Sequence, residues 1–139
     1  MIKIKKAEYE KILHYAESCL PYEACGLIAG EISRKDKFVK KAYLLTNTAK
    51  SERSFFLDPK EQFSAARDIR SMGLILLGCW HSHPNAPAYP SKEDKRLAYD
   101  RNISYIILSL KNRAKPQINS FKISGEDFFK EQILSLIHI

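Results

Sequence analysis

The hydrophobic positions of this chain change their period several times, and each change predicts a new element. Ile12, Leu13, Ala16 and Leu20 recur at helical spacing, which predicts a helix over residues 7–19 that ends ahead of Pro21. Residues 24–31 and 38–46 read as strands, and the polar stretch Ser33-Arg34-Lys35-Asp36 between them predicts a hairpin. Phe55-Phe56-Leu57 has the length of one short strand. Asp58 followed by Pro59 is a cap with proline at the first helical position, so a helix is predicted from Pro59 to Ser71, closed by Gly73. Residues 74–80 form an almost unbroken apolar run, the pattern of a buried strand. Strands are also predicted at 104–110 and 118–123, around a turn at 112–116. The tail 128–139 leans to a strand through Ile133, Leu134, Leu136, Ile137 and Ile139. Helices alternating with strands in this way predict a mixed sheet flanked by helices, α+β or three-layer α/β/α in character.

The candidate chemistry stands at the end of the apolar run. His81 and His83 are two residues apart on a strand, so they share one face while Ser82 points away. Pro84 stops the strand, because it has no amide hydrogen for the ladder. Pro84, Pro87 and Pro90 stiffen the loop that follows. Ser91 is placed to cap a segment of good helix formers at 95–101, with Asp94 one helical turn in. Two histidines and one aspartate, with a fourth position left to water, make the ligand set of a catalytic zinc site. Taken alone, Ser91 and Asp94 could equally be a capping box with no chemistry attached. Their position beyond a paired-histidine strand end favours the metal.

His81-Ser82-His83-Pro84, six further residues and Ser91-Lys92-Glu93-Asp94 resemble the signature of the JAMM (MPN-plus, Mov34-type) zinc metalloproteases at every fixed position. Tyr22-Glu23-Ala24-Cys25-Gly26 is similar to the family's upstream glutamate element, and the likeness runs from about Glu8 to Leu110. The resemblance implies a single JAMM/MPN-plus domain over 1–139, with a mixed, mostly antiparallel sheet of cytidine-deaminase-like fold. It implies one zinc ion per chain on His81, His83 and Asp94. Glu23 would be general base and then general acid, and Ser91 the hydrogen-bond donor to the oxyanion. The implied substrate is the amide after the C-terminal Gly-Gly of a ubiquitin-like protein, of the sulfur-carrier type for so small a domain. The alternatives are a RadC-like nucleic-acid-associated domain and a relative of cell-wall or phage-tail peptidases. Against the former, Asn85-Ala86 follows Pro84 where that group would have Ser-Gly.

Composition alters this picture little. A chain of 139 residues has room for one core, and 45% hydrophobic with 28% charged residues is ordinary for a globular protein. There is no apolar run of membrane-spanning length, and residues 1–6 lack the apolar core of a signal peptide. Cys19, Cys25 and Cys79 form no Cys-x-x-Cys pair and sit among apolar residues, which points to a reducing, cytoplasmic setting. The net charge of +7 is concentrated in Lys3, Lys5, Lys6, residues 34–41, Lys111, Arg113 and Lys115, where it either keeps turns and sheet edges soluble or faces an acidic partner surface. No nucleic-acid-binding signature accompanies it. His14 and His138 have no partner at ligand spacing. Monomer and homodimer both remain open.

Overall fold

Eight strands and three helices make up the computed structural model, which describes residues 1–136. The chain begins with β1 (Ile2–Lys5), then α1 (Lys6–Cys19), the hairpin β2 (Cys25–Ser33) and β3 (Asp36–Leu45), and α2 (Pro59–Ser71). β4 (Ile75–His83), α3 (Lys92–Arg96), β5 (Ser104–Ser109), β6 (Gln117–Ser124), β7 (Asp127–Glu131) and β8 (Ile133–Leu136) follow. All strands lie in one sheet of order β7-β6-β5-β4-β2-β3-β1-β8. The pairs β2–β3, β2–β4, β5–β6 and β6–β7 are antiparallel, and β1–β3, β1–β8 and β4–β5 are parallel. The expected mixed, mostly antiparallel sheet is thus observed. β7 and β8 are separated by Gln132 alone yet occupy opposite ends of the order, so the sheet curls until one run of chain bridges both edges.

Alternation along the strands divides the core into two layers. Ile28, Ala42, Trp80, Ile106 and Leu108 face α1 and pack with its Ile12 and Ala16. Leu27 and Leu45 pack instead with Ala65 of α2, while Tyr105, Ile107 and Phe121 pack around Ala88 of the proline loop. A helix therefore covers each face, in the three-layer arrangement. Gly26 is required for close approach: a Cβ there would collide with the Tyr43 carbonyl and the Trp80 indole, whose Nε1 donates to that carbonyl at 3.1 Å. No helix among the described residues is long and apolar enough to cross a membrane.

Three elements differ from the sequence reading. β1 was not expected, although Ile2 and Ile4 face inward and Lys3 and Lys5 alternate with them. The 55–57 stretch is not a strand; only Leu57 makes an isolated bridge, to Asn47, whose side chain has taken over Phe56 N–H. α3 starts behind its Ser91 cap as expected but ends at Arg96, short of 101, because beyond Leu97 local bonds compete with the helix: Tyr105 Oη donates to the Asp100 carbonyl at 2.7 Å, and Asp100 Oδ1 accepts Asn102 N–H at 2.8 Å. The strand expected in the tail is present as β7 and β8, and residues 137–139 lie outside the described ones.

Candidate metal centre

The end of β4 supplies the histidines from an immobile position. Paired with β2 on one side and β5 on the other, it places His81 opposite Cys25 and beside Ile107. His81 and His83 are 3% and 4% exposed and point to the α2–α3 side. Ser82 points the other way, and its Oγ accepts Ala24 N–H at 2.8 Å, while its own N–H donates to the Ala24 carbonyl at 2.9 Å. This continues the β2–β4 register one step past Cys25, so the next residue, Glu23, lies across from His83.

The proline loop is tied down at three points. His83 Nδ1 lies 2.8 Å from the Pro87 carbonyl, Ser109 Oγ donates to Ala86 O at 2.6 Å, and Asn119 Nδ2 donates to Ala88 O at 3.0 Å. The loop delivers Ser91 as N-cap of α3 in a complete capping box. Ser91 Oγ accepts Asp94 N–H at 3.0 Å, and Ser91 N–H donates to Asp94 Oδ2 at 2.9 Å. That box turns the Asp94 carboxylate inward to the histidines.

His81 Nε2, His83 Nε2 and Asp94 Oδ2 converge in a nearly equilateral triangle with edges of 3.1, 3.1 and 3.2 Å. The Pro87 carbonyl can only accept, so His83 Nδ1 carries the proton and the neutral ring turns the lone pair of Nε2 to the triangle. Asp94 Oδ2 is a second acceptor, and the three converging atoms could hold a cation at their centre. Four-coordinate zinc, with bonds of about 2.0–2.2 Å, sets its ligand atoms roughly 3.3–3.6 Å apart. The three side chains present fit one such ion. His81 is pushed down by burial, against the pull of Asp94. Burial acts on His83 in the same direction, but the contact with Asp94 and the Pro87 bond outweigh it and raise its pKa. Asp94 resists its own burial through the two histidines and the Ser91 amide and stays below the ordinary carboxylate range.

Glu23 is 3% exposed, and its Oε1 has no hydrogen-bond partner among the described residues. Burial raises its pKa to about 8, with His83 pulling the other way. Its backbone is held on both sides, since Glu23 N–H donates to Ser51 O at 2.8 Å and Glu23 O accepts Asn47 Nδ2 at 3.0 Å. Asn47, which the sequence reading missed, is the residue that ties this backbone to the following loop. Its Nδ2 also donates to Ser54 O at 3.0 Å, and its Oδ1 accepts Ala49 N–H at 3.0 Å and Phe56 N–H at 3.1 Å. Every hydrogen-bonding site of that amide is used, which fixes the 47–57 loop. The loop stacks Phe55 on His81, with ring centres 4.6 Å apart. The only signal in the sequence was a turn-forming Asn after a strand.

Two clefts meet at the triangle. On the His81 and Asp94 side is a mainly apolar one of about 390 Å³ lined by Leu27, Phe55, Leu76, Leu97 and Tyr99 among others. On the His83 side is a second one of about 390 Å³, lined by Glu23, Ser91, Glu52 and Arg53 among others. All five residues singled out from the sequence thus gather at one junction. His14 is an exposed α1 residue away from it, and His138 lies outside the described residues.

Residues 5–124 match the family model described as prokaryotic homologs of the JAB domain. The chain belongs to the prokaryotic JAB family. Among proteins of known activity it is similar to the desampylase of Haloferax volcanii, 31% identical over 78% of this chain and 74% of that one. It is also similar to the CysO-cysteine peptidase of Mycobacterium tuberculosis, 29% identical over 74% of this chain and 69% of that one. A solution structure of a Desulfitobacterium hafniense protein superposes with a TM-score of 0.93, at 42% identity over 100% of this chain and 95% of that chain. The chain thus combines the JAB fold with a His81–His83–Asp94 group that could hold a metal ion.

Proposed function

We propose that the chain is a cytoplasmic, zinc-dependent peptidase that hydrolyses the amide bond after the C-terminal Gly-Gly of a ubiquitin-like protein of the sulfur-carrier type. The observation that carries this reading is the convergence of three ligand atoms at 3.1–3.2 Å beside a buried Glu23 carboxyl whose Oε1 has no hydrogen-bond partner among the described residues. Similarity to a CysO-cysteine peptidase and a desampylase supports the substrate class. Zinc held by His81, His83 and Asp94 would supply Lewis-acid polarisation of the carbonyl and lower the pKa of the attacking water.

The chain's own residues supply the proton transfers. Glu23, a buried carboxyl that shares the His83 cleft with Ser91, would take a proton from the attacking water and return it to the leaving nitrogen. Ser91 has two compatible tasks: a lone pair accepts Asp94 N–H in the cap, and the hydroxyl proton is left to donate to the oxyanion. A diglycine tail has no side chains to clash in a narrow approach and can lie along backbone groups as an added strand.

The test is mass spectrometry of a ubiquitin-like sulfur carrier extended past its Gly-Gly, incubated with zinc-loaded wild type and with Glu23→Gln. Cleavage after the second glycine by wild type alone supports the reading, and full activity of Glu23→Gln overturns the assignment of the base. Elemental analysis of His81→Ala and Asp94→Ala checks the ligands: retained stoichiometric zinc refutes them.

A further inference from the structure

Two of the three converging side chains are oriented by hydrogen bonds, and the third is not. His83 is turned by the contact of its Nδ1 with the Pro87 carbonyl at 2.8 Å, and Asp94 by the Ser91 amide at 2.9 Å. His81 makes its polar contacts through Nε2 alone, at 3.1 Å to His83 and 3.2 Å to Asp94, and its Nδ1 has no hydrogen-bond partner among the described residues. A strand fixes where the Cβ of His81 points, but rotation of an imidazole about χ2 is broad and needs a neighbour to stop it. That neighbour is Phe55. Its ring lies on the His81 ring with centres 4.6 Å apart and planes 25° apart, a stacked arrangement. Phe55 is held in turn by the peptides on either side of it: Ser54 O accepts Asn47 Nδ2 at 3.0 Å, and Phe56 N–H donates to Asn47 Oδ1 at 3.1 Å.

We propose that Phe55 is the positioning residue of His81, fixing the ring that presents Nε2 to the ion and so setting the affinity and ligand geometry of the site; this rests on the zinc reading above. A histidine ligand is ordinarily held through its second ring nitrogen, as His83 is, and loss of such a partner weakens metal binding about 10–100-fold. Here a stacked ring performs that task from the face of the imidazole instead of its edge. Loading also strengthens the stack. A metal-bound imidazole carries part of the ion's positive charge, and the face of a phenyl ring is negative. A contact that gains on loading raises the affinity for the ion by the same factor. An aliphatic side chain of similar bulk would fill the space but supply neither the flat surface nor the negative face.

The probes are zinc and cobalt(II), each titrated into the ion-free protein in competition with a chromophoric chelator, with denaturant unfolding run alongside. Phe55→Leu and Phe55→Met should each bind zinc about tenfold more weakly than wild type and shift the visible bands of cobalt(II), which report ligand geometry. Phe55→Tyr keeps the ring and should restore both. Phe56→Leu alters the adjacent side chain, 53% exposed and stacked on neither histidine, and should change neither. In zinc-loaded wild type, the ring protons of His81 should be shifted upfield by the Phe55 ring current, a measurement that needs no variant to fold. Wild-type affinity and spectrum in the Leu and Met variants, a loss that Tyr does not restore, an equal loss in Phe56→Leu, or unshifted His81 protons would overturn the proposal. Wild type that binds no zinc removes the metal reading itself; tight binding that is indifferent to Phe55 removes this proposal alone.

Discussion

Replacing Glu23 by glutamine should remove a pH dependence of stability that the ion-free protein carries. The carboxyl is 3% exposed, Oε1 has no partner, and burial moves its pKa from an ordinary 4.5 to about 8. Because the folded pKa is the higher one, the stabilisation is complete below 4.5 and is lost as pH rises through 8. Between those values the unfolded chain ionises and the folded chain holds its proton. Each pH unit costs about 1.4 kcal/mol of stability, and the interval from 4.5 to about 8 sets an upper limit near 5 kcal/mol. A loss of about 3–5 kcal/mol is a large part of the 5–15 kcal/mol typical of a domain. Glutamine is nearly the same shape and cannot ionise. The assay is urea unfolding of both proteins with chelator present, at pH 4.5 and pH 8. The difference between the two pH-induced changes is the informative quantity, since it cancels every contribution of His81, His83 and Asp94 that does not depend on the Glu23 charge. Wild type should lose about 3–5 kcal/mol more than Glu23→Gln. Parallel behaviour within about 1 kcal/mol would mean that the carboxyl is solvated after all, and the physical basis for its role as base would be gone.

Ser91→Ala should lose both functions assigned to that hydroxyl: about 1 kcal/mol of stability from the cap, and roughly 10²–10³ in kcat from the donor. A lower melting temperature with unchanged kcat would leave only the cap. Asn47→Ala removes four hydrogen bonds at about 0.5–1.5 kcal/mol each, so a destabilisation of about 2–4 kcal/mol is expected, with faster amide exchange confined to residues 47–57. Unchanged exchange there would refute its role as the loop's anchor. Zinc at a hundredfold above its dissociation constant should stabilise wild type by about 2.7 kcal/mol, read from denaturant midpoints. The same stabilisation in His83→Ala would mean that the ion binds elsewhere.

The site was more legible in the sequence than parts of the fold were. His81, Ser82 and His83 could be assigned to opposite faces because strand periodicity is strict and the apolar run before them is unambiguous. Asp94 was legible as a capping residue, and the structure adds that the capping box and the ligand geometry share one oxygen, Oδ2. Asn47 was not legible, because its importance lies in four partners gathered by tertiary structure and not in any spacing. The 55–57 stretch has strand composition, but Asn47 occupies the backbone group a ladder would use. The curl that brings β7 and β8 to opposite ends of one sheet depends on pairings across nearly the whole chain. In contrast, β1 could have been read: Ile2 and Ile4 alternate with Lys3 and Lys5, and attention to charge alone conceals that period.

The serine between the two histidines ties the proposed base, Glu23, which lies just ahead of β2, to the proposed ligands at the end of β4. A strand alternates its faces, so whatever stands at position 82 must point away from the metal. Here it grips Ala24 through both its side chain and its backbone, at 2.8 and 2.9 Å. Those bonds extend the β2–β4 register to the residue adjoining Glu23, beyond the point where ordinary ladder pairing stops at Cys25. Ser82 is fully buried, so Ser82→Ala leaves Ala24 N–H unsatisfied, at a cost of about 1–3 kcal/mol. Zinc stoichiometry should be unaffected, since both histidines face the other way. The rate should nonetheless fall, because displacement of a catalytic group by about 1 Å can cost roughly 10²-fold. Loss of kcat with zinc retained would identify Ser82 as a positioning residue for Glu23. Unchanged kcat in a destabilised protein would show that the bonds of Asn47 and Ser51 hold the base without it.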